Sequence, residues 1–317
     1  MPLEQFITKR FGEDSLAVID HANQIIAVYQ AQGYVLTLRM LYYQFVARGL
    51  LPNTLREYKR LGDIIADGRL AGLIDWEAIE DHHREVNHAY SWQDPAHFLE
   101  NVADQFKVDM WENQPHHCEV WIEKDALTGV IERPCKELRV AYFACKGYAS
   151  ASQLWAAGKR LAVKRQNKID KAWGKKKPAR GNARVVVFHL GDHDPSGIDM
   201  TRDNDDRLQM FSGGESNGVR IEVIRLALNM NQVQQYNPPP NPAKMTDSRS
   251  EGYVAMHGTS SWELDALDPA VIDKLVRDNV SKLIDKKIWK EDEEREAGHR
   301  RELHDVADNW DDIMSNM

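Results

Sequence analysis

Two aspartates stand close together in the segment GDHDPSG at 191–197, after an apolar run that predicts a buried strand. Asp192 and Asp194 are two positions apart, so in an extended segment both carboxylates point to the same side. Neighbouring carboxylates repel each other unless a proton or a cation lies between them. Oxygen ligands with room for water and phosphate are what Mg²⁺ prefers. A magnesium site is therefore one interpretation, and ordinary loop aspartates are the alternative.

A third carboxylate follows a different predicted strand. Glu123 ends the run WIE at 121–123 and precedes a helical stretch. Ligands of parallel sheets collect at the carboxyl ends of the strands, and Glu123 and the two aspartates all stand at such ends. The three side chains can therefore converge on one ion.

The order of these motifs resembles the Toprim domain of the topoisomerase VI A subunit and its relatives, which include the meiotic double-strand-break enzymes. Glu-Lys stands at 123–124, KGYAS at 146–150 and GDHDPSGID at 191–199. The chain departs from the family at 149–150, where Ala-Ser replaces the usual Pro-Asp. The resemblance implies Mg²⁺ as cofactor, bound by Glu123, Asp192 and Asp194.

The segment TLRMLYYQF at 37–45 resembles the same family independently. There the DNA-cleaving tyrosine is the second aromatic of an Arg-X-X-aromatic-Tyr motif, on a winged-helix domain that precedes Toprim. The resemblance implies that Tyr43 is the nucleophile, with Arg39 beside it, and that DNA becomes linked to the tyrosine. Without the resemblance, Tyr42 and Tyr43 are ordinary helix aromatics, one packed and one half exposed.

The family also implies partners. Its members act as homodimers in which the tyrosine of one subunit meets the metal of the other, so that two sites break both strands of duplex DNA. A separate ATPase subunit, like that of topoisomerase VI, is a further partner that the resemblance implies. This chain itself has no phosphate-binding Gly-X4-Gly-Lys-Ser/Thr loop.

Residues 248–269 match no part of the family pattern. We expect this segment to be a loop that packs Trp262 and Leu264. The alternative is that Glu263 and Asp265 approach the metal.

Helical spacing of apolar residues in the first hundred positions predicts three helices, over 15–32, 38–49 and 55–72. Thr37 is a plausible N-cap of the second helix, and Asn53 or Thr54 of the third. An extended or mixed segment, LIDWEAIED, follows. This order is typical of a winged helix-turn-helix, whose third helix usually enters a DNA groove. A helical bundle with a polar face is the alternative.

The second half alternates short β-branched runs, HCEVWIEK, ARVVVFHLGD and VRIEVIRLAL, with helical stretches, which predicts an α/β fold with a mainly parallel sheet. We therefore predict a winged-helix DNA-binding and cleavage domain at 1–110. A Rossmann-like Toprim domain is predicted at 111–317, with a C-terminal helical extension from 268 to about 307.

Charge is distributed unevenly along the chain. The 41 basic and 49 acidic residues give a net charge of −8, which excludes a uniformly basic coat for nucleic acid. The segment 159–184 nevertheless holds eleven Lys or Arg and one acid. It is interpreted either as a solvated surface loop or as an arm that contacts phosphates. The predicted DNA-binding residues are Arg56, Lys59, Arg60, Lys164 and Lys175.

Three cysteines in 317 residues are too few and too scattered for a disulfide framework, which favours a reducing compartment. No apolar run is long enough to span a membrane, and the N-terminus lacks a signal-peptide pattern. The expectation is a cytoplasmic, nucleoid-associated protein. A tyrosine-dependent DNA-cleaving enzyme is the preferred function, and a Toprim metal nuclease using water or a non-catalytic DNA-binding module are the alternatives.

Overall fold

A parallel sheet of four strands lies at the centre of the protein, seen here in a computed structural model that describes residues 3–79, 91–173, 184–213, 220–243, 247 and 249–316. The strands are β1 (His117–Ile122), β2 (Ala141–Ala144), β3 (Val185–Leu190) and β4 (Glu222–Ala227). Their order across the sheet is β2-β1-β3-β4, and each neighbouring pair is parallel. The predicted α/β class with a mainly parallel sheet is confirmed.

Helices connect the strands and cover both faces of the sheet. They are α5 (Thr128–Glu137), α6 (Ala151–Trp173) and α7 (Pro195–Ser212). Every residue of β1 and β3 is buried, as expected for strands that are covered on both sides. Alternate residues of β3 lie on opposite faces of the sheet. Val185 and Val187 pack with Leu154 of α6, while Val186 and Phe188 belong to the larger core.

The N-terminal region contains the three predicted helices, α1 (Glu13–Gln30), α2 (Leu38–Ala47) and α3 (Leu55–Leu70). The hydroxyl of Thr37 accepts from the Met40 amide at 3.2 Å, and that of Thr54 caps α3 in the same way. Within 3–79 the segment after α3 forms a short 3-10 turn at Trp76–Ala78 and isolated bridges, with no hairpin strand.

The remaining elements follow β4 along the chain, except for α4, which precedes β1. They are α4 (Pro95–Gln105), α8 (Met230–Tyr236), β5 (Asn241–Pro242), α9 (Ser250–His257), β6 (Ser260–Ser261), a 3-10 turn (Leu264–Ala266), α10 (Pro269–Ser281), α11 (Lys286–Asp308) and α12 (Trp310–Ser315). One apolar core runs from the N-terminal helices into the sheet and on to α10. Among the described helices, none is long and apolar enough to cross a membrane.

The basic segment 159–184 is not a loop along its first part. Residues 159–173 belong to α6, because apolar residues such as Leu154 and Leu161 recur at helical spacing and pack on the sheet. Positions 174–183, which include Lys175, lie outside the described residues.

Gly197 holds the first turn of α7 against the end of β3. A Cβ added at this position would lie 2.2 Å from the carbonyl oxygen of Asp192, which is too close for any contact. We expect Gly197→Ala to lower the free energy of unfolding by about 2–4 kcal/mol, since the backbone on both sides is fixed. Urea unfolding followed by circular dichroism measures this.

Gly298 of α11 is the matched control, because an added Cβ there would meet no atom within 4 Å. Gly298→Ala should be neutral or stabilise the protein by up to about 1 kcal/mol. Equal losses in both variants would show that the close approach at Gly197 is unimportant.

Candidate functional site

Asp192 lies just beyond β3, where three different segments meet. Its backbone N–H donates to Oε2 of Glu123 at 2.9 Å. Its carboxylate oxygen Oδ1 accepts from the Leu264 amide at 2.7 Å and forms an ion pair with Nζ of Lys124 at 2.9 Å. The ends of β1 and β3 and the 264–266 turn are therefore joined at a single carboxylate.

Two further carboxylates come from the turn beside Asp192. Asp192, Glu263 and Asp265 each offer an oxygen, and these oxygens lie within 4.8 Å of one another, so the cluster could bind a metal ion. The segment 248–269 is not a loop throughout, because Ser250–His257 forms α9 and Ser260–Ser261 forms β6. Leu264 is fully buried and Trp262 packs on the core, while Glu263 and Asp265 face Asp192. Below, the acidic cluster means these three carboxylates.

Lys124 already supplies the acidic cluster with a cation. Its ammonium nitrogen lies 2.7 Å from Glu263, 2.7 Å from Asp265 and 2.9 Å from Asp192. An ammonium has three donors, so one carboxylate can use each of them. Burial acts against the charged form, but the three carboxylates outweigh it and raise the pKa of Lys124. A metal ion entering the cluster has to compete with this bound ammonium.

Arg39 brings the N-terminal helices to the same carboxylates. Its Nε donates to Oδ2 of Asp265 at 2.5 Å, and its terminal NH2 group pairs with Glu263. Burial raises the pKa of Glu263, but the Lys124 and Arg39 cations hold it lower, at about 2. Arg39 therefore lies beside the acidic cluster, and its described ion-pair partners are two carboxylates of that cluster.

Negative charge exceeds positive charge in this cluster, because three carboxylates face two cations. The buried Glu123 carboxylate adds a further negative charge, which the nearby Arg225 guanidinium offsets. Burial, which Lys124 offsets only in part, raises the pKa of Asp192 to about 7. Burial likewise raises the pKa of Glu123. An added cation would relieve the repulsion that remains between these buried acids.

Asp194 has a different environment from Asp192. One of its carboxylate oxygens accepts from the Gly197 amide at 2.6 Å and from the Ser196 hydroxyl at 2.8 Å, which makes Asp194 the N-cap of α7. Of the predicted metal ligands, Glu123 and Asp192 are in direct contact through the hydrogen bond from the Asp192 amide to the Glu123 carboxylate. The described carboxylates that cluster with Asp192 are Glu263 and Asp265, not Asp194.

Both neighbouring tyrosines of α2 are buried, each about 4% exposed, so the expectation that one is half exposed is wrong. The Tyr42 hydroxyl donates to backbone carbonyls of the 52–54 loop and accepts from the Thr54 amide at 2.7 Å. Tyr42 therefore fixes the connection between α2 and α3. Tyr43 points elsewhere: its hydroxyl interacts with the side chain of Asn241, and its ring lies 5.7 Å from the Arg39 guanidinium.

Tyr43 lines a cavity of about 330 Å³ that also reaches the carboxylates. The walls come from α2, the start of α3, β5 and the residues following β6. They are Arg39, Tyr42, Tyr43, Asn53, Thr54, Leu55, Tyr58, Asp194, Asn241, Pro242, Ser261, Trp262 and Glu263. Below, the tyrosine cavity means this space. It brings the candidate nucleophile, Asp194 and Glu263 together within one chain.

Arg225 is a residue of the site that the sequence analysis missed. From β4 its guanidinium donates to the carbonyls of Gly191 at 3.0 Å and Gly197 at 2.8 Å, and to that of Asp192 at 2.5 Å. These bonds fix the loop on which Asp192 and Asp194 lie. The available signal was a charged residue inside the apolar run VRIEVIRLAL.

The predicted DNA-binding residues fall into two groups. Arg56, Lys59 and Arg60 are exposed on α3 and line a groove of about 650 Å³. Arg60 also pairs with Glu57 at 2.9 Å. Lys164, by contrast, is partly buried and forms an ion pair with Asp109 at 2.9 Å.

Comparison with known proteins adds no relative, since no protein-family model and no curated protein matches the chain. Function must therefore be inferred from the site itself.

If the Lys124 ammonium is removed, the stability of the protein should come to depend on a metal ion bound at the acidic cluster. Lys124→Met leaves the cluster with Arg39 as its one remaining cation among the described contacts, and breaking such a buried pair costs about 3–5 kcal/mol. We expect millimolar Mg²⁺ or Mn²⁺ to raise the melting temperature of the variant by several degrees more than that of the unaltered protein. Scanning fluorimetry with and without the ion measures the difference.

Lys287→Met is the control, because Lys287 is exposed and the one described partner of its ammonium group is Glu291 at 3.9 Å. Its response to the ion should equal that of the unaltered protein. If Lys124→Met shows no larger response than this control, the cluster does not take a metal in place of the ammonium.

Proposed function

We propose that the protein is a DNA-binding, magnesium-dependent DNA-cleaving enzyme similar to the A subunit of type IIB topoisomerases. Tyr43 is its nucleophile, and cleavage leaves a phosphotyrosyl link. In this proposal the N-terminal helices act as a winged helix-turn-helix domain, and the parallel sheet acts as a Toprim domain.

The observation that supports this proposal best is the shared tyrosine cavity. Tyr43 and Arg39 line one space with two carboxylates, those of Asp194 and Glu263, which lie about 150 and 220 positions further along the chain. The hydroxyl of the adjacent Tyr42 is already hydrogen-bonded to the backbone of the α2–α3 connection. Of the two tyrosines, Tyr43 is therefore the one whose hydroxyl faces the candidate site.

The donor set fits a hard divalent cation, since every candidate ligand is a carboxylate oxygen. Glu123, Asp192 and Asp194 would hold the ion according to the family motif, and Glu263 and Asp265 are additional oxygens around Asp192. A divalent cation supplies charge neutralisation for a phosphodiester under attack. The excess of negative charge described above gives such an ion an electrostatic reason to bind.

Activation of Tyr43 depends on positive charge. Burial and the nearby carboxylates of Asp265 and Glu263 raise the pKa of Tyr43, while Arg39 acts in the opposite direction. The phenol is therefore the stable form at neutral pH, as it is for an unperturbed tyrosine with a pKa of about 10. This observation favours the second candidate function, a metal nuclease in which water attacks and Tyr43 is structural.

The remaining elements of the proposal concern partners and location. Duplex DNA, a second copy of the chain and a separate ATPase subunit are the proposed partners, and the nucleoid is the proposed location. The exposed cations Arg56 and Lys59 on α3 support contact with a phosphate backbone.

Replacing Tyr43 by Phe should abolish covalent capture of DNA while DNA binding persists. The test incubates supercoiled plasmid with protein and Mg²⁺, denatures the mixture, and compares gels with and without protease. Unaltered protein should give cut DNA that enters the gel fully only after proteolysis.

Tyr42→Phe is the matched control. It removes hydrogen bonds to the 52–54 loop and should cost about 1–2 kcal/mol of stability, but it should retain cleavage. If the Tyr43→Phe variant still cuts DNA in a metal-dependent reaction and forms no covalent adduct, the tyrosine mechanism is wrong and the protein is a metal nuclease.

Charge reversal on α3 should weaken DNA binding and its dependence on salt. Each phosphate contact contributes about 0.9 to the slope of log affinity against log salt, so Arg56→Glu/Lys59→Glu should lower that slope by about 2. Fluorescence anisotropy with a labelled duplex between ~50 and ~200 mM salt measures it. Asp311→Lys/Asp312→Lys, on the exposed α12, should change binding little. Affinity indifferent to salt would contradict the phosphate-led mode.

A further inference from the structure

We infer that α3 docks in the major groove of duplex DNA with its N-terminal end foremost, so that Leu55 contacts the C5 methyl group of a thymine. The protein therefore prefers thymine at the base pair that faces Leu55. This inference rests on the duplex binding of the proposed function and adds the base that α3 recognises.

The charges on α3 give the helix a direction relative to DNA. Arg56, Lys59 and Arg60 lie on one exposed face of its N-terminal half. Asp63 and Asp67 line the same groove further along the helix. Phosphates attract the three cations and are repelled by the two acids. The N-terminal half of α3 is therefore the end that approaches DNA.

Two of these cations are available to phosphates. Within the part of the chain that the structure describes, neither Arg56 nor Lys59 forms an ion pair, whereas Arg60 is paired with Glu57 at 2.9 Å. Both available cations line the groove together with Leu55. They can hold the DNA backbone while the leucine reaches a base.

Leu55 is the first residue of α3 and is 69% exposed. The turn before it is fixed by hydrogen bonds, which hold the leucine in place. The Tyr42 hydroxyl accepts from the Thr54 amide at 2.7 Å, the Thr54 hydroxyl accepts from the Glu57 amide at 3.3 Å, and the Asn53 amide group donates to the side chain of Asn241 at 2.6 Å. An apolar side chain held in water in this way gains free energy from an apolar partner.

The major groove offers such a partner at thymine alone. The groove is about 12 Å wide and admits an α-helix, and thymine is the one base that presents a methyl group there. In helix-turn-helix proteins the N-terminal residues of the recognition helix contact the base edges. The side chain of Leu55 cannot form hydrogen bonds with the donors and acceptors of the other bases. Thymine is therefore the base that it selects.

The position of Leu55 connects this contact to the candidate nucleophile. Leu55 lines the tyrosine cavity as well as the basic groove. A thymine in contact with Leu55 therefore lies beside the cavity that contains Tyr43. Cleavage by Tyr43 should show the same preference for thymine close to the cut.

The binding test uses the full-length protein in EDTA, which prevents metal-dependent cleavage. Two duplexes of one A·T-rich sequence carry either thymine or deoxyuridine, which differ only by the C5 methyl group. We expect the thymine duplex to be bound about fourfold more tightly, the effect of removing one methyl group from water. In a second pair of G·C duplexes, replacing cytosine by 5-methylcytosine should raise the affinity by a similar factor. Fluorescence anisotropy measures both.

Leu55→Ala should reduce the preference for thymine over deoxyuridine to below about 1.5-fold, because the apolar contact is lost. Its dependence on salt should stay unchanged, since Arg56 and Lys59 remain. Leu3→Ala is the matched control, because Leu3 is 60% exposed and lines neither space. This variant should keep the preference. Equal affinity of the unaltered protein for the two duplexes overturns the inference, and so does a preference that survives in Leu55→Ala.

Cleavage by the unaltered protein in Mg²⁺ separates this inference from the proposed function. Tyr43-dependent adducts that form equally fast on the thymine and deoxyuridine duplexes, at sites without a bias for thymine, would overturn the inference and leave the proposed function standing. A preference for thymine in binding, lost in Leu55→Ala, by a protein that never forms an adduct would support the inference and reject the tyrosine mechanism.

Discussion

The buried ammonium of Lys124 is the contact on which the arrangement of the site depends. It bonds to one carboxylate at the end of β3 and to two at 263–265, where the 264–266 turn begins, and Lys124 itself follows β1. Without a cation at this point, three carboxylates within 4.8 Å of one another, two of them buried, would repel, and this repulsion would oppose the packing of residues 263–265 against the end of the sheet. Arg39 extends the same network to α2, and so fixes Tyr43 relative to the strand ends.

This network constrains the chemistry as well as the fold. Lys124 and Arg39 neutralise two of the three charges, which keeps the cluster stable before any ligand arrives. The same pairing weakens it as a metal site, because an incoming ion has to replace bonds of 2.7–2.9 Å that are already made. Burial is the main cause of the raised pKa of Asp192, the carboxylates of Glu123 and Asp265 add to it, and an additional cation would relieve this repulsion. A phosphate entering the cavity meets acids first, so metal and substrate binding are coupled electrostatically.

Much of the fold could be predicted from local pattern, and much of the site could not. Thr37 and Thr54 cap the helices they were expected to cap, and the apolar run at 185–190 is a buried strand. Glu123 and Asp192 meet because parallel strands end at one edge. The places of Glu263 and Asp265 depend on how a distant turn folds back, which no spacing near Asp192 encodes. Lys164 was assigned to DNA from a charge count, yet its ion pair with Asp109 comes from tertiary packing.

The position of Tyr43 also bears on how a dimer would work. The family resemblance implies that the tyrosine of one subunit meets the metal of the other, but here Tyr43 shares a cavity with Asp194 and Glu263 of its own chain. Arg39 fixes this arrangement through two carboxylates, one of them fully buried, so moving α2 to a partner subunit would break both ion pairs. Lys124 would then be the one described cation that pairs with all three carboxylates, and too little positive charge beside buried acids is costly. Such an exchange would therefore need the partner's own α2 to bring an equivalent arginine to the same carboxylates, which a symmetric dimer supplies and a monomer does not.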